Sequence, residues 1–354
     1  IQFEPEQSLE TIDSSNFFET ALSISGVDIE DISFSEAFTE LLRNCFSNSP
    51  EWGDKIISQV RDLLISEHPV ILRRLNVLQF CKKYKPGTNP VNLALDISRQ
   101  ASSFAVRGGS GKSGYANAYG HYKWDLFAQI CRGAKGGIGI PYAGFEVFVR
   151  MARGNPRNLL VILGRIYEIA AFRELDLASG TPVSVALQTA AAIDSARFML
   201  ERDTNYGKPS DIAREVVERL ASLLRTARFS LKIPEVSPLT ISFSSSDLNE
   251  HSRNALDLAL KYSFLFEVDE GRPDRNSQRL NRKVQINPML SPRWGLPIAR
   301  RGDISLNLEL LNSIFDTSQT KAFEQNLRLL ATKWNNPFST IAQGGLQEGL
   351  FPDD

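Results

Sequence analysis

At 354 residues, with 42% hydrophobic and 23% charged side chains, the chain has the composition of ordinary globular protein and the length for two or three separate cores. No run of about 18 apolar residues occurs, which excludes a membrane-spanning helix, and the opening residues carry no signal-peptide pattern. The net charge of -1 hides a polarity: residues 1–51 hold eleven acids against Arg43 alone, whereas residues 272–301 hold eight bases against Asp274.

Such segregation points the later region toward an anion, nucleic acid above all, or else toward a solvated charged surface. Cys45, Cys81 and Cys131 are odd in number and scattered, so structural disulfides are not expected and a reducing cytosol is the expected compartment. His68, His121 and His251 lie far apart, with no Cys or His at ligand spacing; no zinc site and no catalytic triad is expected.

In chain order, residues 1–53 are acidic and weakly periodic. The chain opens Ile-Gln-Phe-Glu-Pro without Met, in what reads as the middle of a strand, and is expected to be a fragment of a longer protein. From Asp54 to Tyr84 the apolar spacing predicts helix, broken by Lys85-Pro86-Gly87-Thr88-Asn89-Pro90. Further helices are predicted over 91–106, 122–131 and 144–152. Asn155 and Pro156 then suit the cap and first position of a helix carrying Leu159, Leu160, Ile162, Leu163 and Ile166. A long helix is predicted over 182–201 with Thr181 as cap, and another around Val216, Val217, Leu220, Leu223 and Leu224.

Next come a strand at "LTISF", a helix opening at Asp247 with Glu250 in a capping box, and strands at "FLFEV" and "KVQIN" around a basic loop. Helix, strand, helix, strand, loop, strand is the order of a winged helix, with the loop as wing. The tail from Thr317 predicts one short helix and a mobile end.

The stretch Arg107-Gly108-Gly109-Ser110-Gly111-Lys112-Ser113-Gly114 imitates a phosphate loop. Such a loop needs a glycine five residues before Gly111, where Val106 stands, and must follow a buried strand. "DISRQASSFA" offers none, and "GYANAYG" starts a helix poorly, so no row of amides at a helix N-terminus awaits phosphate. A surface loop is expected.

Arg157 is more informative. A cation at the second helical position opposes the helix dipole by roughly 0.3–1 kcal/mol. It implies an anionic partner, either a carboxylate of the chain or a phosphate; the alternative is extension into water.

"YAGFEVFVRMARGNPRNLLVILGRIYEIAAF" resembles the sensor-2 region of AAA+ ATPases, where an arginine at the start of a lid helix reaches the γ-phosphate. "VQINPMLSPRWGLPIARRGDISL" is similar to the C-terminal signature of a bacterial branch of the initiator clade, the origin-recognition and cell-division-control type. The likeness covers about residues 119–316. It implies a mostly α chain, a helical AAA+ lid bundle followed by a winged helix. The divisions it implies are an acidic segment at 1–53 as the end of a missing AAA+ α/β domain, a lid at 54–175, a linking helix at 180–202, a winged helix at 205–305, and a short helix with mobile tail at 306–354.

It further implies that Arg157, with Gly154 and Asn155, faces ATP. It implies too that Arg272, Arg275, Arg279, Arg282 and Lys283 meet the DNA backbone. The phosphate loop, the Asp-Glu pair for Mg2+ and the sensor-1 residue have no counterpart here. ATP and Mg2+ are therefore expected only in a parent protein, on a neighbouring nucleotide-binding domain, and no catalytic residue and no hydrolysis are expected of this chain. The competing readings are a winged-helix protein–protein module without DNA binding, and an independent nucleotide hydrolase using Lys112.

Overall fold

The computed structural model describes residues 32–46, 52–109, 112–133, 140–178, 180, 182–203, 207–268 and 281–338. Among them are thirteen α-helices and one four-stranded mixed sheet, and the buried apolar side chains fall into three cores.

The first core is all-helical. It joins α1 (Ile32–Phe46), α2 (Asp54–Arg61), α3 (Val70–Lys83), α4 (Pro90–Val106) and α5 (Gly114–Gly133), with Leu42, Val60, Leu75, Phe80, Ile97 and Leu126 at its centre. The helical pattern predicted from Asp54 is interrupted by a π-helical turn at Asp62–Ser66. Side chains from later helices meet it there: the buried Asn76 side chain donates to the Leu64 carbonyl at 3.0 Å and accepts from Tyr115 Oη at 2.6 Å. A side chain that takes a carbonyl out of the i→i−4 ladder widens the turn.

Helix α5 begins eight residues before the predicted start at Tyr122. Ser113 Oγ caps it by accepting from the Ala116 amide at 3.1 Å. Tyr115 and Tyr119, buried against Phe104, hold that glycine-containing turn in place.

The second core is a three-helix unit: α6 (Phe145–Ala152), α7 (Pro156–Phe172) and α8 (Val185–Glu201). Phe148, Met151, Ile162, Ile166, Leu187 and Ala191 meet inside it. The predicted linking helix is thus a full partner in a core, because its small-residue face at Ala191 and Ala192 lets α7 approach closely. It starts at Val185, capped by Ser184 Oγ, three residues after the predicted start at Pro182; Thr181 lies outside the described residues.

The third core gathers α9 (Lys208–Arg228), β1 (Thr240–Ser244), α10 (Glu250–Lys261), β2 (Leu265–Glu267), β3 (Asn281–Ile286), α11 (Ser291–Trp294), β4 (Asp303–Ser305), α12 (Leu308–Phe315) and α13 (Thr320–Asn335). The strand order is β2-β3-β1-β4. Strands β2 and β1 flank β3 in antiparallel fashion, with Ile241 opposite Val284, and β4 runs parallel to β1.

Helix α10 is capped by Asn249, whose Oδ1 accepts from Ser252 N at 2.7 Å, and not by Asp247. Asn312 of α12 takes the Asp247 carbonyl and the Asn249 amide, and so holds the predicted capping box out of the helix. Residues 306–338 hold two helices that are packed, and the end expected to be mobile, 339–354, lies outside the described residues. Leu310, Leu311, Ile314 and Phe315 are fully buried, and Phe338 lies 5.3 Å from Phe46 and 5.6 Å from Tyr84, ring to ring, in the first core.

One stretch ties the three cores together. Met289 enters the second core, while Leu290, Trp294 and Leu296 enter the third. Arg293 reaches Glu201 of α8 at 2.7 Å and Glu218 of α9 at 3.0 Å. Gly295, at φ 68°, turns its carbonyl to Arg228, whose guanidinium also binds the buried Asp125 of α5 at 2.9 Å. Ser237 N donates to the same carboxylate at 2.8 Å.

Candidate functional site

Among the described residues, no strand leads into the Gly-Lys stretch. What precedes it is helix α4, ending at Val106, and Gly108 and Gly109 follow in left-handed backbone. A loop between two helices lacks the strand that aims a phosphate loop's amides, and Lys112 is exposed beside it. Ser110 and Gly111 lie outside the described residues.

The start of α7 is built as its residues dictate. Helix α6 stops at Arg153, which takes the left-handed conformation (φ 48°, ψ 46°), and Gly154 follows at φ 76°. A side chain added at Gly154 would meet nothing within 4 Å, so its backbone angle and not crowding calls for glycine. Asn155 then caps α7, its Oδ1 accepting from the Arg157 amide at 3.0 Å, with Pro156 at the first turn. A left-handed non-glycine residue costs on the order of 1 kcal/mol or more; the Arg153 guanidinium packs over the Phe266 ring at 4.4 Å.

This turn faces a cleft of about 430 Å³ between the three-helix unit and the sheet unit. Arg153, Arg157, Asp203, Lys261, Phe266 and Asn287 line it, which sets three cations against one carboxylate. Arg157 meets that carboxylate as a two-pronged fork, Nη1 donating to Asp203 Oδ2 at 2.8 Å and Nη2 to Oδ1. Of the partners weighed for Arg157, the structure shows an acid of its own chain. The pair is lopsided: the Arg157 side chain is 59% exposed and that of Asp203 14%. Asn287 is spent structurally, donating to the Ser263 carbonyl and accepting from Met289 N.

Of the residues placed at a DNA contact, Arg272, Arg275 and Arg279 lie outside the described residues, within 269–280. Arg282 pairs with Glu267 on the neighbouring strand, and Lys283 Nζ reaches Asp303 of β4 across β1 at 2.8 Å. The exposed face of α10 is mixed in charge, with Glu250 and Asp257 beside Arg253 and Lys261.

Arg153, Lys261 and Asp203 were missed by sequence reasoning. Arg153 had a signal, being four residues before Arg157; Asp203 and Lys261 come from elements far along the chain, and nothing local marks them. No helix among the described residues is long and apolar enough to cross a membrane. The family model described as ORC-CDC6-like matches residues 8–306, reaching well upstream of the stretch where the likeness was legible by eye. No curated protein and no solved structure matches the chain.

Proposed function

The chain belongs to the ORC-CDC6-like family, and from that membership we propose that it is the lid and DNA-binding region of an initiator-type AAA+ protein. In this reading the three-helix unit is the lid, with Arg157 as its phosphate-facing arginine, and the sheet unit is a winged helix. ATP and Mg2+ belong to a neighbouring nucleotide-binding domain, and lid movement couples nucleotide state to DNA or partner contact. The observation that carries it is an arginine at the electropositive start of α7, on a cleft open to solvent between the two units. The donors there suit one phosphate group; the Gly-Lys stretch does not suit the rest of a nucleotide.

For DNA, support comes from the order α9, β1, α10, β2, β3 and from the neighbours β2-β3-β1. The sequence between β2 and β3 carries Arg272, Arg275 and Arg279, charges suited to a sequence-independent backbone contact of the kind that releases counterions. Neutralising Arg275, Arg279 and Arg282 together is expected to lower the slope of log affinity against log salt by about 2, since each phosphate contact contributes roughly 0.9 and Arg282 is shared with Glu267. Fluorescence anisotropy on duplex DNA from 50 to 200 mM salt measures it, and an unchanged slope removes the wing from the reading.

A second reading, a protein–protein module, is favoured by the mixed charge of α10. Absence of any gel shift at low salt would select it.

A further inference from the structure

Arg157 and Asp203 are each misplaced when taken alone. The guanidinium sits at the positive end of α7, and the carboxylate follows Arg202, the cap at the negative end of α8. Each opposes its helix dipole, and pairing cancels both mismatches. A phosphate group would suit the α7 end better than the carboxylate does, since it complements both the arginine and the helix start. The pair is open from the arginine's side only: the Arg157 guanidinium faces solvent, while Asp203 sits mostly covered at the cleft wall. Arg153 and Lys261 line the same cleft, so a displaced carboxylate remains among cations.

We propose that the cleft is a phosphate site closed by its own carboxylate: Asp203 occupies Arg157 until a terminal phosphate group displaces it. The inference rests on the reading of Arg157 as the phosphate-facing arginine and adds its regulation. It makes Asp203 an internal competitor that sets the threshold at which nucleotide is sensed. The swap is an exchange of ion pairs, with no covalent step and no change of protonation.

The test is calorimetric titration of the full chain with sodium tripolyphosphate, and separately with ATP, at fixed ionic strength. Asp203→Asn is expected to bind tripolyphosphate about tenfold more tightly than the unsubstituted chain. Arg157→Gln and the double variant should lose that binding. Asp203→Ser serves as the second variant, and circular dichroism confirms that each remains folded. If binding requires Arg157 but is unchanged in both Asp203 variants, the gate is overturned while the phosphate-facing arginine stands. Binding that ignores Arg157, or none in any form, overturns both. Equal tightening toward tripolyphosphate and ATP supports a site that reads phosphate alone. Tightening toward neither sinks the gate.

Discussion

Arg228 and Arg157 each meet one aspartate, in opposite surroundings. The Arg228–Asp125 pair joins the helical bundle to the sheet unit with side chains 4% and 0% exposed, and both partners are saturated, Arg228 by the Gly295 carbonyl and Asp125 by the Ser237 amide. The Arg157–Asp203 pair lies on an open cleft at 59% and 14%. The same two residue types thus make a lock in one place and an exchangeable contact in the other. Water decides which: Arg228 left alone has nothing to solvate it, whereas the Arg157 guanidinium left alone is rehydrated at once. Burial pushes the Asp125 carboxyl up, against the pull of Arg228 and the Ser237 amide.

The largest expected effect follows directly. Asp125→Ala should cost about 3–5 kcal/mol in urea unfolding, because it leaves the Arg228 guanidinium buried and unpaired. Replacing both partners by apolar residues should cost less. A loss below 1 kcal/mol for Asp125→Ala would erase the contrast between the two pairs.

An alkaline limb comes next. Burial pushes the Cys131 thiol up to about 11 and the Tyr142 phenol up to about 12, and it raises Cys81, Tyr115 and Tyr119 further still. These acids stay protonated in the folded chain while their unfolded counterparts ionise. Stability should therefore fall as pH rises through the ordinary thiol range, by about 1.4 kcal/mol per pH unit for each group that titrates only when unfolded. Four of the five groups lie in the helical bundle, so the loss should begin there and not at the cleft. Comparing urea midpoints at pH 8 and 10 measures it, and Cys131→Ala should flatten the slope.

The smallest effect belongs to the open pair. Asp203→Asn is expected to change unfolding free energy by no more than about 1 kcal/mol. A loss as large as that of Asp125→Ala would make Asp203 a structural residue and leave the cleft without a displaceable partner.

Local chemistry was legible wherever a few adjacent residues decide the outcome. Asn155 and Pro156 announce the start of α7, and the spacing of Val216, Val217, Leu220, Leu223 and Leu224 announces α9. The rejection of the Gly-Lys stretch rests on Val106, the missing strand and a poor helix start; a helix stands where the strand was needed, but α5 does begin at Gly114. Legibility failed where distant side chains override local signals. Asn312 moved the α10 cap from Asp247 to Asn249, and Tyr115 and Tyr119 carried α5 back over two glycines. The stretch 284–306 resembles a family signature, and its Met289, Arg293, Trp294 and Gly295 form the junction of three cores.

By itself the order of residues determined the helix faces, the two strands flanking the basic segment, and an arginine set against a helix dipole, since each depends on neighbours within a turn or two. Only the tertiary structure decided what that arginine meets and which acids are sealed from water. Asp203 lies 46 residues from Arg157 and Asp125 lies 103 from Arg228. Electrostatic strength depends on surrounding solvent, and the solvent around a side chain exists only once the whole chain has packed.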